Sequence, residues 1–362
     1  MINVTKSILP DIKDYIKYIE EIWERGHLTN HGPLVLELED RLKEYLGVKH
    51  FFFVNNGTIA LQIAIKAAGL KGEVVTTPFS YVATTSSLVW EGCKPVFADI
   101  KPGFFTIHPD YIIKHITSET SAVLATHVYG NPCEVDAVEE IAQTHNLRVI
   151  YDAAHAFGVE YKGKSILNYG DISTLSFHAT KLFHTIEGGG IITSDDELAH
   201  RISYMRNFGH DGPERFSGVG INGISSEFQA AMGLCLLPKV EEIIHLRKGI
   251  CERYRANLEG GQLEFMQVEE GTTRYNYAYF PVVFKSEASL LNALNALKQN
   301  QIMGRRYFYP SLNSLDYVEN NLEESISETI SKRVLCLPLY PELSLNDVDI
   351  ISGIVNSVLN KG

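Results

Sequence analysis

Ser173-Thr174-Leu175-Ser176-Phe177-His178-Ala179-Thr180-Lys181 runs on, after a short interval, into Glu187-Gly188-Gly189-Gly190-Ile191-Ile192-Thr193. The first apolar run carries one lysine into a polar turn. The glycines then lead into a second apolar run, which predicts two strands with Lys181 held at a strand end in a crowded pocket. A lysine taken out of water gives up its proton more readily and can attack an aldehyde. Taken alone, the stretch fits a solvated loop lysine equally well.

The segment Leu147-Arg148-Val149-Ile150-Tyr151-Asp152-Ala153-Ala154-His155-Ala156-Phe157-Gly158 is again an apolar strand ending in an acid, followed by small residues and a histidine. Pyridoxal phosphate requires a lysine for its aldehyde, an acid for its ring nitrogen and amides for its phosphate. A third segment, Phe51-Phe52-Phe53-Val54-Asn55-Asn56-Gly57-Thr58-Ile59-Ala60-Leu61, supplies a strand, a polar turn and a helix start. Gly57 permits close backbone approach and Thr58 adds a hydroxyl where helix amides lack partners. A plain helix cap would use the same residues.

The alternation continues through Val74–Thr77, Pro95–Asp99, Ala122–His127, Arg148–Asp152, Ser173–Phe177 and Gly190–Thr193, with helical spacing between several of them. It predicts an α/β fold with a largely parallel sheet and helices on both faces, whose binding groups collect where strand ends meet the following turns. No Gly-x-Gly-x-x-Gly follows an early strand, which argues against a dinucleotide-binding enzyme. From about residue 241 the pattern becomes that of a smaller α+β domain. Strand-like Ala278–Phe284 precedes a helix from Ala288 to Lys298 with a leucine stripe. The expected division is therefore a large domain over 1–240 and a small one over 241–362.

The 362 residues, 45% of them hydrophobic, suffice to bury a large core. A net charge of −12 argues against nucleic acid or an anionic membrane as partner, while leaving room for a local phosphate site. The five cysteines are scattered and lack metal-ligand spacing, so no metal is expected and they read as reduced thiols. The amino-terminal residues show no long apolar signal core, and no stretch is apolar enough to span a bilayer, so a cytoplasmic location is expected.

In combination these motifs resemble the DegT-type nucleotide-sugar aminotransferases, pyridoxal-phosphate enzymes of fold type I, over nearly the whole chain. The resemblance implies that Lys181 carries the cofactor as a Schiff base and moves the proton during transfer. It implies that Asp152 keeps the ring nitrogen protonated, that His155 packs at the ring and that Tyr81, in Thr77-Pro78-Phe79-Ser80-Tyr81-Val82-Ala83-Thr84, stacks on it. Asn56, standing where relatives have serine, Gly57, Thr58 and Ser176 are assigned to the phosphate. Asn222 is assigned to the phosphate of a partner subunit, which implies a homodimer with shared active sites. Ile224 stands where a basic residue is common.

Substrate contacts are implied for Thr29, in a turn one residue longer than usual, and for Arg305, Tyr307 and Tyr309 within Arg305-Arg306-Tyr307-Phe308-Tyr309-Pro310. Asn313, where many relatives have histidine, is assigned with them. L-glutamate is the implied donor, leaving pyridoxamine 5'-phosphate for a nucleotide-linked ketosugar. The pattern is closest to members that aminate carbon 4 of dTDP-4-dehydro-6-deoxy-D-glucose. The alternatives are amination at carbon 3 of a related ketosugar, the deoxygenating branch in which histidine replaces the lysine, and a catalytically silent relative.

Overall fold

The structure, a computed structural model, describes residues 1–260, 262–322 and 324–360. Helix α1 (Ile12–Arg25) starts where the Asp11 carboxylate accepts from the Lys13 amide and stops at left-handed Gly26, φ 64°. Then follow α2 (Pro33–Leu46), β1 (His50–Val54), α3 (Gly57–Ala67), β2 (Glu73–Thr76), α4 (Val82–Trp90), β3 (Lys94–Phe97), α5 (Pro109–Lys114), β4 (Thr120–Thr126), α6 (Val135–His145) and β5 (Arg148–Asp152). Short strands β6 (Glu160–Tyr161) and β7 (Lys164–Ser165) lead to β8 (Ile172–Ser176), β9 (Gly189–Thr193), α7 (Asp196–Met205), α8 (Glu227–Leu236) and α9 (Val240–Leu258). The chain closes with β10 (Glu264–Phe265), β11 (Thr272–Arg274), β12 (Phe280–Val283), α10 (Glu287–Gln299), α11 (Ile326–Arg333), β13 (Val334–Leu337) and α12 (Leu345–Leu359).

The main sheet has seven strands in the order β1-β9-β8-β5-β4-β2-β3. Strand β9 alone runs against the others, pairing antiparallel with both β8 and β1. The reason is local: the 177–188 connection contains no helix that could carry the chain back across the sheet, so β9 returns beside β8. The remaining strands are parallel, and their carboxyl ends share one edge. Thr126 and Asp152 are register partners on β4 and β5, and Asp152 pairs with Thr174 on β8. Residues far apart in sequence are thereby brought to one crevice.

Four apolar clusters lie among the described residues, and α9 takes part in two: Val240, Ile243 and Ile244 pack into the first, Ile250, Tyr254 and Leu258 into the second. The second core packs α9, α10 and α12 against the antiparallel sheet β10-β12-β13. The boundary expected at residues 240 and 241 thus meets the start of one continuous helix. The first residues, expected with the large domain, hydrogen-bond to the smaller unit: Ile2 donates its amide to Gln301 and Val4 accepts from Leu339. Among the described residues no helix is long and apolar enough to cross a membrane, and no cluster of His, Cys, Asp or Glu is arranged to hold a metal. All five cysteines are free and buried.

Candidate active site

At the carboxyl edge of the sheet lies a cavity of about 310 Å3 lined by Asn56, Gly57, Thr58, Tyr81, Asp152, His155, Ser176, Lys181, Arg305 and Tyr307, all singled out in the sequence. Lys181 follows β8 in a tight turn in which its amide donates to the His178 carbonyl at 2.8 Å. Burial of its amine lowers the pKa from 10.5 to about 8; the Asp152 charge opposes this and the Arg305 charge adds to it. The amine is therefore far closer to its neutral, nucleophilic form than an exposed lysine.

Asp152 ends β5 with 5% of its surface exposed. Burial raises its carboxyl pKa, and hydrogen bonds from Thr84 and from the Ala154 amide work the other way. The Ala154 amide reaches Oδ1 at 3.1 Å and the Thr84 hydroxyl reaches Oδ2 at 2.7 Å. Three residues on, His155 accepts the Tyr129 amide at Nδ1 (3.2 Å), which places its proton on Nε2. Burial, and then the Lys181 charge, hold this imidazole well below its usual pKa, so it is a neutral ring. It stacks on Phe308 with an interplanar angle of 2°.

The phosphate end is built by α3. Asn56 Oδ1 accepts the Ile59 amide at 2.8 Å, and the Ala60 amide returns to the Asn56 carbonyl. The amides of Gly57 and Thr58 open the helix at the cavity. Helix start and β8 come so close that a Cβ on Gly57 would sit 2.9 Å from Cβ of Ser176. Two amides, the Thr58 and Ser176 hydroxyls and the positive end of α3 form an anion cradle.

At the mouth, Tyr81 caps α4 and remains 49% exposed, with its ring 6.2 Å from that of Tyr307. Arg305 lies 4.4 Å over the Tyr307 ring and exchanges backbone hydrogen bonds with Cys336, which anchors the segment to β13. Burial pushes the Tyr307 hydroxyl up to about 12, so it stays a neutral donor.

Four residues assigned from sequence do not line this cavity. Thr29 is exposed and directs its hydroxyl to the Ser225 carbonyl. Tyr309 lies outward, with the Arg306 guanidinium 3.5 Å over its ring. Asn313 is 1% exposed and donates its amide to Asn320 and Glu328. Asn222 is exposed and holds Asn55 through its carbonyl at 3.2 Å, beside the phosphate turn but outside the cavity wall of its own chain. Conversely, Ser80, Thr126, His178 and Glu187 line the cavity without having been assigned, and Thr84 stands directly behind Asp152. The hydroxyl residues among them carry a weak sequence signal because such residues at helix starts and strand ends ordinarily serve as caps.

The match to the DegT/DnrJ/EryC1/StrS aminotransferase family model spans residues 10–356. The chain belongs to this family. It is a pyridoxal-phosphate-dependent aminotransferase. The aminotransferase is 42% identical over 362 residues to the dTDP-4-amino-4,6-dideoxy-D-glucose transaminase of Shigella dysenteriae, covering 99% of this chain and 98% of that one. It is 40% identical to the protein of that name from Escherichia coli, covering 95% of each. Among solved structures it superposes on DesI, crystallised in the presence of its TDP-sugar product, with a TM-score of 0.93 and 32% identity, covering 100% of this chain and 93% of that one.

The residues present fit the cofactor on their own geometry. A partly neutral lysine, a buried carboxylate with both oxygens already hydrogen-bonded yet facing the cavity, and a helix start whose glycine admits no Cβ without a shift stand around one space.

Proposed function

We propose that this aminotransferase moves the amino group of L-glutamate to carbon 4 of dTDP-4-dehydro-6-deoxy-D-glucose, giving dTDP-4-amino-4,6-dideoxy-D-glucose. The observation that carries the reading is the near full-length identity of 42% to a transaminase named for that product, joined to a cavity with the lysine, aspartate and phosphate cradle in place. When bound, pyridoxal phosphate supplies an aldehyde that takes up the amine and a ring that stores the electrons released at the donor's α-carbon. Lys181 would be placed to serve as base and then acid, taking the α-proton of the amino donor and giving it back on the cofactor side. The same residue would move the proton the other way when the ketosugar is the acceptor. Asp152 would accept from the ring nitrogen and so favour its protonated form. His155, neutral and locked by Tyr129, presents a flat face without adding charge.

Arg305 and Tyr307 are the groups we assign to the sugar nucleotide, since a guanidinium and a neutral phenol at the mouth suit a diphosphate and sugar hydroxyls. Asn222 we assign to the cofactor phosphate of a second subunit, in a homodimer with shared sites. Incubation with L-glutamate and a panel of dTDP-, GDP- and UDP-ketosugars, with the aminated carbon located by NMR, tests the proposal. Turnover of dTDP-4-dehydro-6-deoxy-D-glucose at carbon 4 in preference to the rest is expected. Preferred amination at carbon 3, or of another nucleotide's sugar, would overturn it.

A further inference from the structure

Three buried hydroxyls from three separate elements lead to Asp152, two of them, Ser80 and Thr126, also at the cavity wall. Thr126 ends β4, Ser80 lies in the turn after β2, and Thr84 sits in the first turn of α4; they are 3%, 2% and 0% exposed. Thr126 Oγ1 donates to Ser80 Oγ at 3.0 Å, Ser80 and Thr84 are joined at 2.7 Å, and Thr84 Oγ1 donates to Asp152 Oδ2 at 2.7 Å. Each hydroxyl has one proton to give. With Asp152 ionised, the proton of Thr84 goes to the carboxylate, so the Ser80–Thr84 bond must run from Ser80. Ser80 in turn accepts from Thr126. All three protons therefore point one way, toward the aspartate.

We propose that Thr126, Ser80 and Thr84 form a directional hydroxyl relay that holds Asp152 as an ionised, hydrogen-bond-accepting carboxylate and thereby keeps the cofactor's ring nitrogen protonated. Thr84 is a positioning residue: it acts through Asp152 and does not line the cavity. A protonated Asp152 that donated from Oδ2 would require every one of these hydroxyls to turn the other way. Chains of aligned hydroxyls also polarise one another, which strengthens the last bond. The inference rests on the cofactor-site reading and concerns what supports Asp152 at Oδ2.

The test compares Thr84→Val, which keeps the shape and removes the hydroxyl, with Thr84→Ser, which restores it. Protein reconstituted with pyridoxal phosphate labelled with nitrogen-15 at the ring reports the protonation of that atom directly by NMR. The wild type and Thr84→Ser are expected to show the pyridinium signal and Thr84→Val a shift toward neutral pyridine. The glutamate half-reaction of Thr84→Val should slow roughly ten- to hundred-fold with little change in the glutamate concentration for half-saturation. In an Asp152→Asn background the same valine should cost almost nothing further. A pyridinium signal and a wild-type half-reaction in Thr84→Val would overturn the relay. Absence of cofactor binding in the wild type would instead overturn the site reading. Should the valine variant fail to fold, Ser80→Ala breaks the relay one step earlier and must move the ring-nitrogen signal the same way; an unmoved signal there overturns the relay equally.

Discussion

At the residue scale the chemistry turns on the charge state of Lys181. Its folded pKa of about 8 lies below the ordinary 10.5 because burial disfavours the cation. Capture of pyridoxal phosphate by the apo-protein requires the neutral amine. Its rate should rise about ten-fold per pH unit below about 8 and level off above it. Stopped-flow absorbance across that range checks this, and a rise continuing toward the ordinary lysine value would contradict it. Replacing Lys181 by alanine removes both the attachment point and the base, and the glutamate half-reaction should slow by at least about 100-fold to 10,000-fold. These residues were legible in the sequence because Lys181, Asp152 and Gly57 each follow a short apolar strand. Asn313 was singled out by its motif and not by a place at a strand end. Its place in a motif suggested substrate, whereas burial gives its amide to Asn320 and Glu328.

At the scale of elements, the site depends on where two helices begin. Helix α3 starts against the end of β8, so Gly57→Ala would force its Cβ to within 2.9 Å of Ser176 Cβ. Relieving that contact shifts the phosphate cradle at a cost of about 1–3 kcal/mol. Cofactor affinity should weaken roughly ten-fold or more, measured by fluorescence titration. Helix α2 has glycine at its cap position and no side-chain cap of its own. Its amides of Leu34 and Val35 instead donate at 3.1 and 3.0 Å to the fully buried carboxylate of Glu227, the first residue of α8. Glu227→Ala should lower unfolding stability by about 3 kcal/mol, from two lost charge-assisted bonds at a helix start. Glu227→Gln, which keeps one acceptor oxygen, should lose about half as much. Urea denaturation midpoints separate the two, and an unchanged midpoint for the alanine variant would contradict this role. The alternation of strands and helices was readable from periodicity. The Glu227 cap and the Thr126–Ser80–Thr84 relay were not, because each joins segments whose meeting depends on sheet order and register.

For the whole molecule, the cavity is assembled from strand ends of the main sheet and the 305–307 segment anchored to β13. One chain leaves Asn222 outside that wall, beside Asn55. If Asn222 serves a partner's phosphate, mixed dimers of Lys181→Ala and Asn222→Ala chains contain one intact site. Their activity should exceed that of either parent variant, and activity no greater than the parents' would place each site within one chain. The central claim is amine transfer through Lys181. It is tested most directly by the visible spectrum of the protein with pyridoxal phosphate, recorded before and after L-glutamate and again after dTDP-4-dehydro-6-deoxy-D-glucose, beside Lys181→Ala. The account predicts that glutamate bleaches the cofactor band, that the ketosugar restores it, and that the alanine variant does neither. A wild-type band indifferent to glutamate, or bleached by it and not restored by this ketosugar, would contradict the account.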